Sequence, residues 1–116
     1  MEKDLERRTK QFALQAIKFV SLPKTRDADV LGRQLLRSAT SIGANYREAN
    51  RGVSRADFAN KIGTVQKEAS ETQYWIELLF ESGIAATSAA KALHAESTEL
   101  LAIFTATGRT LHSQKR

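Results

Sequence analysis

The residues best suited to chemistry are a set of arginines in the first half of the chain. At about 100° per residue of an α-helix, four of them fall within about 40° of one direction. The row they form is about 27 Å long at about 1.5 Å per residue, and a fifth arginine follows it. A guanidinium fork matches phosphate oxygens, so the row is expected to contact a nucleic-acid backbone without reading bases. The predicted contacts are Arg33, Arg37, Arg47, Arg51 and Arg55.

The alternative is an ordinary solvated face held by surface ion pairs. Asp29 lies one turn before Arg33, and Glu48 is within reach of the last two arginines of the helical row. Pairs at this spacing are common and each contributes only a few tenths of a kcal/mol. Arg37 has no carboxylate one turn away on its own helix. Both interpretations of the row stay open at this stage.

Other side chains offer little for catalysis. The two histidines, His94 and His112, follow Lys91 and Arg109 by three residues, so neither forms the Glu-x-x-His pair of a di-iron bundle. Cysteine is absent, and no serine stands in a recognisable nucleophile motif. We therefore expect no metal, no cofactor and no enzymatic activity.

Charge and composition bear on the possible partners and on the cellular compartment of the protein. The net charge is +5, and residues 1–67 carry 14 Lys and Arg against 7 Asp and Glu, whereas the remainder carries 4 against 6. A one-sided positive field of this kind can attract polyanions, although it can also serve solubility alone. Without cysteine or an apolar run of about 20 residues, the chain is expected in the cytoplasm and not in a membrane.

The elements that must position the arginines are helices almost throughout, because Ala, Leu, Glu, Lys, Arg and Gln dominate. The first helix is predicted over about Asp4–Val20, where the chain's only proline follows and ends it. The second is predicted to begin near Asp27 or Asp29 and to end at about Asn50. The arginine row belongs to this second helix.

Two further helices show the alternating spacing of three and four residues that is typical of a bundle seam. The third is predicted from a cap formed by Ser54 with Asp57 to Gly83, and the fourth from Thr87 or Ser88. The seam of the third comprises Phe58, Ile62, Val65, Ala69, Thr72, Ile76 and Leu79. That of the fourth comprises Ala90, Leu93, Ser97, Leu100, Phe104, Thr107 and Leu111.

Four helices joined by short loops favour an all-α fold, an antiparallel up-down-up-down four-helix bundle forming one domain over residues 1–116. Gly32, Ala39 and Gly43 lie beside the arginine row. Such small residues are expected to let another helix approach closely, either within the bundle or across subunits.

An aromatic belt late in the third helix is too wide for a lone bundle. The apolar residues between positions 74 and 80 spread over about 240° of the helix, whereas a core-facing stripe needs an arc of somewhat more than about 100°. Exposed aromatic patches usually mark protein interfaces. We therefore predict a homo-oligomer whose contacts are Tyr74, Trp75, Leu78 and Phe80. The alternative is that the rings pack beneath loops of the same chain.

Three blocks together resemble a known family: S-A-T-S-I-G-A-N-Y-R-E-A, then S-R-A-D-F, then K-E-A-S-E-T-Q-Y-W-I-E-L-L. They are similar to bacterial four-helix-bundle proteins encoded in intervening sequences of 23S rRNA genes. The resemblance spans at least Leu35 to Gly83 and implies a bundle that assembles as a ring-like homo-oligomer, commonly a pentamer. The family also resembles the accessory protein of diversity-generating retroelements, a basic pentamer thought to bind nucleic acid and a reverse transcriptase.

The favoured hypothesis is a non-enzymatic, homo-oligomeric bundle that binds RNA, rRNA or DNA through its basic helix face. The rival is a protein-protein interaction scaffold that makes no direct contact with nucleic acid. It predicts that the arginine row is dispensable and that a polypeptide partner is recovered after nuclease treatment.

Overall fold

The helix-forming composition produces four α-helices in the computed structural model, which describes residues 2–21 and 25–114. Their bounds are α1 (Glu2–Val20), α2 (Arg26–Asn50), α3 (Arg55–Glu81) and α4 (Ser88–Gln114). No strand occurs among the described residues. The predicted all-α fold class is confirmed. The fourth helix begins at its predicted start, whereas the first begins two residues earlier than expected.

Contacts between successive helices run in opposite directions along the chain, as an antiparallel bundle requires. Ser38 of α2 meets Thr72 of α3 at 2.8 Å between hydroxyl oxygens, while Glu48, further along α2, meets Lys61, earlier in α3, at 2.8 Å. The bundle is 49 Å long and 22 Å by 21 Å across. The start of α1, the turn between α2 and α3, and the end of α4 therefore lie at the same end of the molecule. We call the turn, residues 51–54, the elbow.

A threonine begins the helix that carries the arginines. The Thr25 hydroxyl accepts a hydrogen bond from the Ala28 amide at 3.1 Å, and α2 starts at the next residue after this cap. The helix thus begins one residue before Asp27, the nearer of the two predicted positions, and both aspartates lie within the first turn. Negative charge is favourable there, near the positive end of the helix dipole.

The limits of α3 follow the sequence pattern. The Ser54 hydroxyl accepts a hydrogen bond from the Asp57 amide at 3.1 Å, which confirms the predicted cap. At the other end Gly83 adopts a positive φ of 83°, and the Ala85 amide donates to the Leu79 carbonyl at 2.8 Å. Glycine favours this left-handed conformation, so the predicted end of the helix is also confirmed.

The two predicted seams supply nearly half of the buried residues of the core. In α3 the seam is buried from Ile62 to Leu79, and only Phe58 at its start is half-buried. In α4 the seam is buried from Ala90 to Phe104, and its last two members are half-buried. The side of α2 that faces this core is mainly apolar, and its opposite side carries the exposed arginines.

Small residues let α1 lie close against α2. A Cβ atom added to Gly43 would be 3.2 Å from the Thr9 hydroxyl oxygen, and one added to Gly32 would be 3.4 Å from the Val20 Cβ. These two glycines thus serve a contact within the bundle. The contact fixes the side of α2 that faces α1 and, with it, the side that faces solvent.

A group of ion pairs joins α1 to α4. Arg8 donates two hydrogen bonds to the Glu96 carboxylate, at 2.7 Å and 3.0 Å, and a third to Glu99 at 3.2 Å. The hydrogen bonds to Glu96 are the largest cause of a raised pKa for Arg8. Arg8 is thus engaged by two carboxylates of α4.

Candidate nucleic-acid interface

All five predicted arginines have exposed side chains, on the outer face of α2 and at the start of α3. They differ in what they contact within the chain. Arg33 lies at the far end of the row, with its Nη2 atom 2.8 Å from Asp29 Oδ2. Its side chain is 78% exposed, so the pair is of the weak surface kind.

Arg37 is held between α2 and α3 by two carboxylates that the sequence analysis did not assign to it. Its guanidinium pairs with Glu71 and lies 3.5 Å from Glu68 Oε1. The Glu68 side chain is only 13% exposed, and this oxygen is buried without a hydrogen-bond partner. Glu71 also accepts a hydrogen bond from the Trp75 indole at 3.1 Å. Arg37 therefore neutralises charge at a helix contact, which competes with binding an external phosphate.

Arg47 is only loosely tied within the chain. Its Nε atom is 3.9 Å from Glu6 Oε1, and the other oxygen of that carboxylate accepts a hydrogen bond from Asn50 at 2.8 Å. Glu48, which the spacing assigned to Arg47 and Arg51, pairs with Lys61 of α3. The expected pairing on the same helix is wrong here, because the neighbouring helix brings a lysine closer.

Arg51 and Arg55 are the least engaged members of the set. Arg51 donates one hydrogen bond to the Arg47 carbonyl at 3.2 Å. Among the residues whose side chains the structure describes, 4–21 and 25–113, no carboxylate forms an ion pair with Arg51 or Arg55. Every residue from 51 to 57 is exposed. These two guanidinium groups are therefore open to solvent at the tip of the molecule.

The structure thus brings a group of cations together at one end of the bundle. We call this group the elbow surface: Arg47, Arg51 and Lys61 line one groove, and Arg55 is exposed nearby at the start of α3. Three carboxylates lie beside these cations: Glu48, which is already paired with Lys61, Asp57, and Glu6, which is 3.9 Å from Arg47. The local charge is positive. Lys61 was missing from the predicted contacts because it lies on the next helix and not in the row.

The predicted oligomer contacts divide between two faces of α3. Tyr74 is 53% exposed, and its ring meets the half-buried Trp75 ring edge-on at a centroid distance of 5.2 Å. Leu78, one turn after Tyr74, is half-buried. Phe80 faces the groove between α3 and α4, where the Lys91 ammonium lies 5.7 Å from its ring centroid. The chain therefore covers part of the belt itself, chiefly at Phe80.

Sites of other kinds receive little support. No three His, Cys, Asp or Glu residues in the described part of the chain are grouped so that they could hold a metal ion. His94 pairs with Glu77 at 2.9 Å beside the α3–α4 groove, and His112 is exposed. None of the helices, over the residues described, is long and apolar enough to cross a membrane.

Fold and surface together define a four-helix-bundle protein with a cationic elbow. The sequence matches the 23S rRNA-intervening sequence protein family over residues 2–106, and the chain belongs to that family. The resemblance found in the sequence blocks is confirmed.

A solved structure supports the same assignment. The chain is 35% identical to a protein of unknown function from the S23 ribosomal protein family of Bacteroides thetaiotaomicron, for which a crystal structure exists. The TM-score is 0.82, and the match covers 89% of this chain and 96% of that one. No protein with a curated description matches the sequence.

Proposed function

We propose that this protein is a non-enzymatic, homo-oligomeric helical bundle that binds nucleic acid through the elbow surface without reading bases. It would do so in the cytoplasm, the compartment expected from its cysteine-free composition. The family name links its members to intervening sequences of 23S rRNA. RNA is accordingly the first ligand to test.

The observation that carries the proposal is the contrast along the arginine row. Arg33 and Arg37 have carboxylate partners within the chain, whereas Arg51 and Arg55 have none among the described residues. A phosphate that approaches the elbow meets no ion-paired carboxylate at either of these two groups. At Arg37 it would have to compete with Glu68 and Glu71. The binding role of the row is therefore concentrated at its elbow end.

Self-association, which is part of the proposal, would strengthen the binding. One elbow surface offers four cations, three lining the groove and Arg55 at the start of α3, which would give weak and salt-sensitive binding. Several copies in one ring, such as a pentamer, would bind one polyanion with a raised effective concentration for each added contact. The exposed Tyr74 and the half-buried Trp75 and Leu78 form the surface we propose for this association.

The association is tested by light scattering after size exclusion on the wild type and on the double variant Tyr74→Asp with Leu78→Asp. We expect an oligomer for the wild type and a smaller species for the variant. The matched control is Leu14→Asp, because Leu14 is 46% exposed on α1. A wild-type monomer of 12.9 kDa would refute the association.

Binding is tested by titrating a labelled RNA hairpin and a DNA duplex at several salt concentrations. The test variant is Arg51→Glu with Arg55→Glu. The control, Arg26→Glu with Arg33→Glu, makes the same charge change at the far end of α2. We expect the elbow variant to lose at least about tenfold in affinity at low salt and about 2 units of slope in log K against log salt. The control is expected to change affinity by less than about threefold.

Two outcomes would contradict the proposal. Wild-type affinity that does not depend on salt would exclude phosphate contacts. Equal losses in the two variants would indicate that net charge, and not the elbow, sets the affinity.

The alternative function, a protein-protein interaction scaffold, is favoured by one observation, the exposure of Tyr74. In that case the elbow variant would retain its polypeptide partner after nuclease treatment, and Tyr74→Ala would lose it. Neither the elbow variant nor Tyr74→Ala would bind RNA or DNA at low salt.

A further inference from the structure

The aromatic side chains of this protein lie away from the elbow surface. Of the eight aromatic residues, Tyr74 alone is classed as exposed among the residues described. It is nineteen residues after Arg55 on the same helix, or about 28 Å along its axis. The aromatic residues nearest the elbow are covered: Tyr46 is 2% exposed, and Phe58 is half-buried against the core. The cations at the elbow therefore have no exposed ring beside them.

This separation bears on the kind of nucleic acid that fits. Proteins that bind single strands combine a cationic groove with aromatic rings on which the unpaired bases stack. Without rings, only the phosphates contribute to affinity. A duplex presents one phosphate per about 1.7 Å of its axis, compared with about 3.4 Å for each strand. A surface that recognises only charge thus gains more from a duplex.

The elbow is also firmly built, which suits a rigid ligand. The Gly52 amide donates to the Ala49 carbonyl at 3.2 Å, and the Arg51 amide donates to the Glu48 carbonyl at 3.1 Å. The Ser54 cap then begins α3 immediately. Arg47 and Arg51 are one helical turn apart, about 6 Å along α2. The backbone thus presents these cations at fixed spacing and does not wrap around a flexible strand.

We infer that the elbow surface takes the phosphate backbone of double-stranded nucleic acid in preference to single strands. The inference rests on the proposed function and specifies the ligand of the same surface. RNA and DNA duplexes share the recognised chemistry, and the binding assay separates them.

The direct test compares three oligonucleotides of equal length in the wild-type protein: an RNA duplex, a DNA duplex and an RNA strand without self-complementarity. At low salt we expect at least one duplex to bind about tenfold more tightly than the single strand. A preference for one of the two duplexes would show whether RNA or DNA is the ligand and would leave the inference intact. Equal or tighter binding of the single strand would overturn the inference while the proposed function stood. Failure of all three ligands to bind would overturn the proposed function itself.

A second test adds the missing ring. Val53, at the tip of the elbow, is 96% exposed, and Val53→Trp places an aromatic surface between Arg51 and Arg55. We expect single-strand affinity to rise at least about fivefold, because stacking on an added ring strengthens single-strand binding. Duplex affinity should change by less than about twofold. Leu14→Trp, at an exposed apolar position on α1, is the control and should change neither. Unchanged single-strand affinity in Val53→Trp would overturn the argument from aromatic placement.

Discussion

Replacement of Arg37 and of Arg33 by alanine separates a structural arginine from a solvated one in the same row. Arg37 faces two carboxylates of α3, one of them only 13% exposed, whereas Arg33 has one partner and is itself 78% exposed. Removal of Arg37 leaves Glu68 Oε1 buried without its cation. Arg33→Ala leaves Asp29 in water.

The magnitudes follow from these environments. A hydrogen bond to a charged group contributes about 1.5–3 kcal/mol, and the 49% exposure of Arg37 argues for the low end. We therefore expect Arg37→Ala to lower the free energy of unfolding by about 1.5 kcal/mol, or about 6 °C in Tm for a domain of this size. Arg33→Ala should cost less than about 0.5 kcal/mol, as exposed pairs generally do.

The assay is thermal and urea denaturation followed by far-UV circular dichroism at one fixed protein concentration. In the Arg37→Ala background, Glu68→Gln removes the stranded charge and is expected to restore about half of the loss, because a neutral amide is cheaper to bury. Equal costs for the two arginines, or no recovery with Glu68→Gln, would refute the structural role of Arg37. If the role is correct, charge reversal at Arg37 is a poor probe of nucleic-acid binding, because it also perturbs folding.

Two further predictions concern the helix ends and interiors. Gly83→Ala should lower the free energy of unfolding by about 1 kcal/mol, because alanine is strained at a φ of 83°. Gly63 lies at an exposed position inside α3, where an added Cβ would meet no side chain within 4 Å. Gly63→Ala should therefore raise the free energy of unfolding by up to about 1 kcal/mol. The measurement is the Tm of each glycine variant: we expect shifts of opposite sign, and shifts of the same sign would contradict the prediction. Ser54→Ala removes the cap of α3 and should lower the free energy of unfolding by about 1 kcal/mol. The control is Ser70→Ala, at an exposed position in the same helix. Equal losses of stability in the two variants would mean that the cap contributes nothing.

The fold could be predicted because its signals are local and repeated. Burial from Ile62 to Leu79 follows directly from spacings of three and four residues, since each position is specified by its neighbours on one helix. The ends at Ser54 and Gly83 depend on the chemistry of single residues. The start of α2 could be predicted only to within a few residues, because threonine and aspartate can both cap a helix and the sequence offers both within three residues.

The partners of Arg37 could not be found from its own helix. They require the register between α2 and α3, which a helical wheel does not contain. A usable signal did exist: Arg37 and Glu71 are each seventeen residues from Ser54, as expected for two helices that fold back at the elbow. The same symmetry brings Glu48 to Lys61, six and seven residues from that serine.

The positions of the outer helix ends affect how the protein can be handled in the laboratory. Because α1 starts and α4 finishes beside the elbow, a purification tag or fluorophore joined to the start of α1 or to the end of α4 would lie near the arginines whose ligand is sought. A polyhistidine or acidic tag there would add its own charge to every titration. The turn between α3 and α4, at the opposite end of the 49 Å bundle, is the better place for a label.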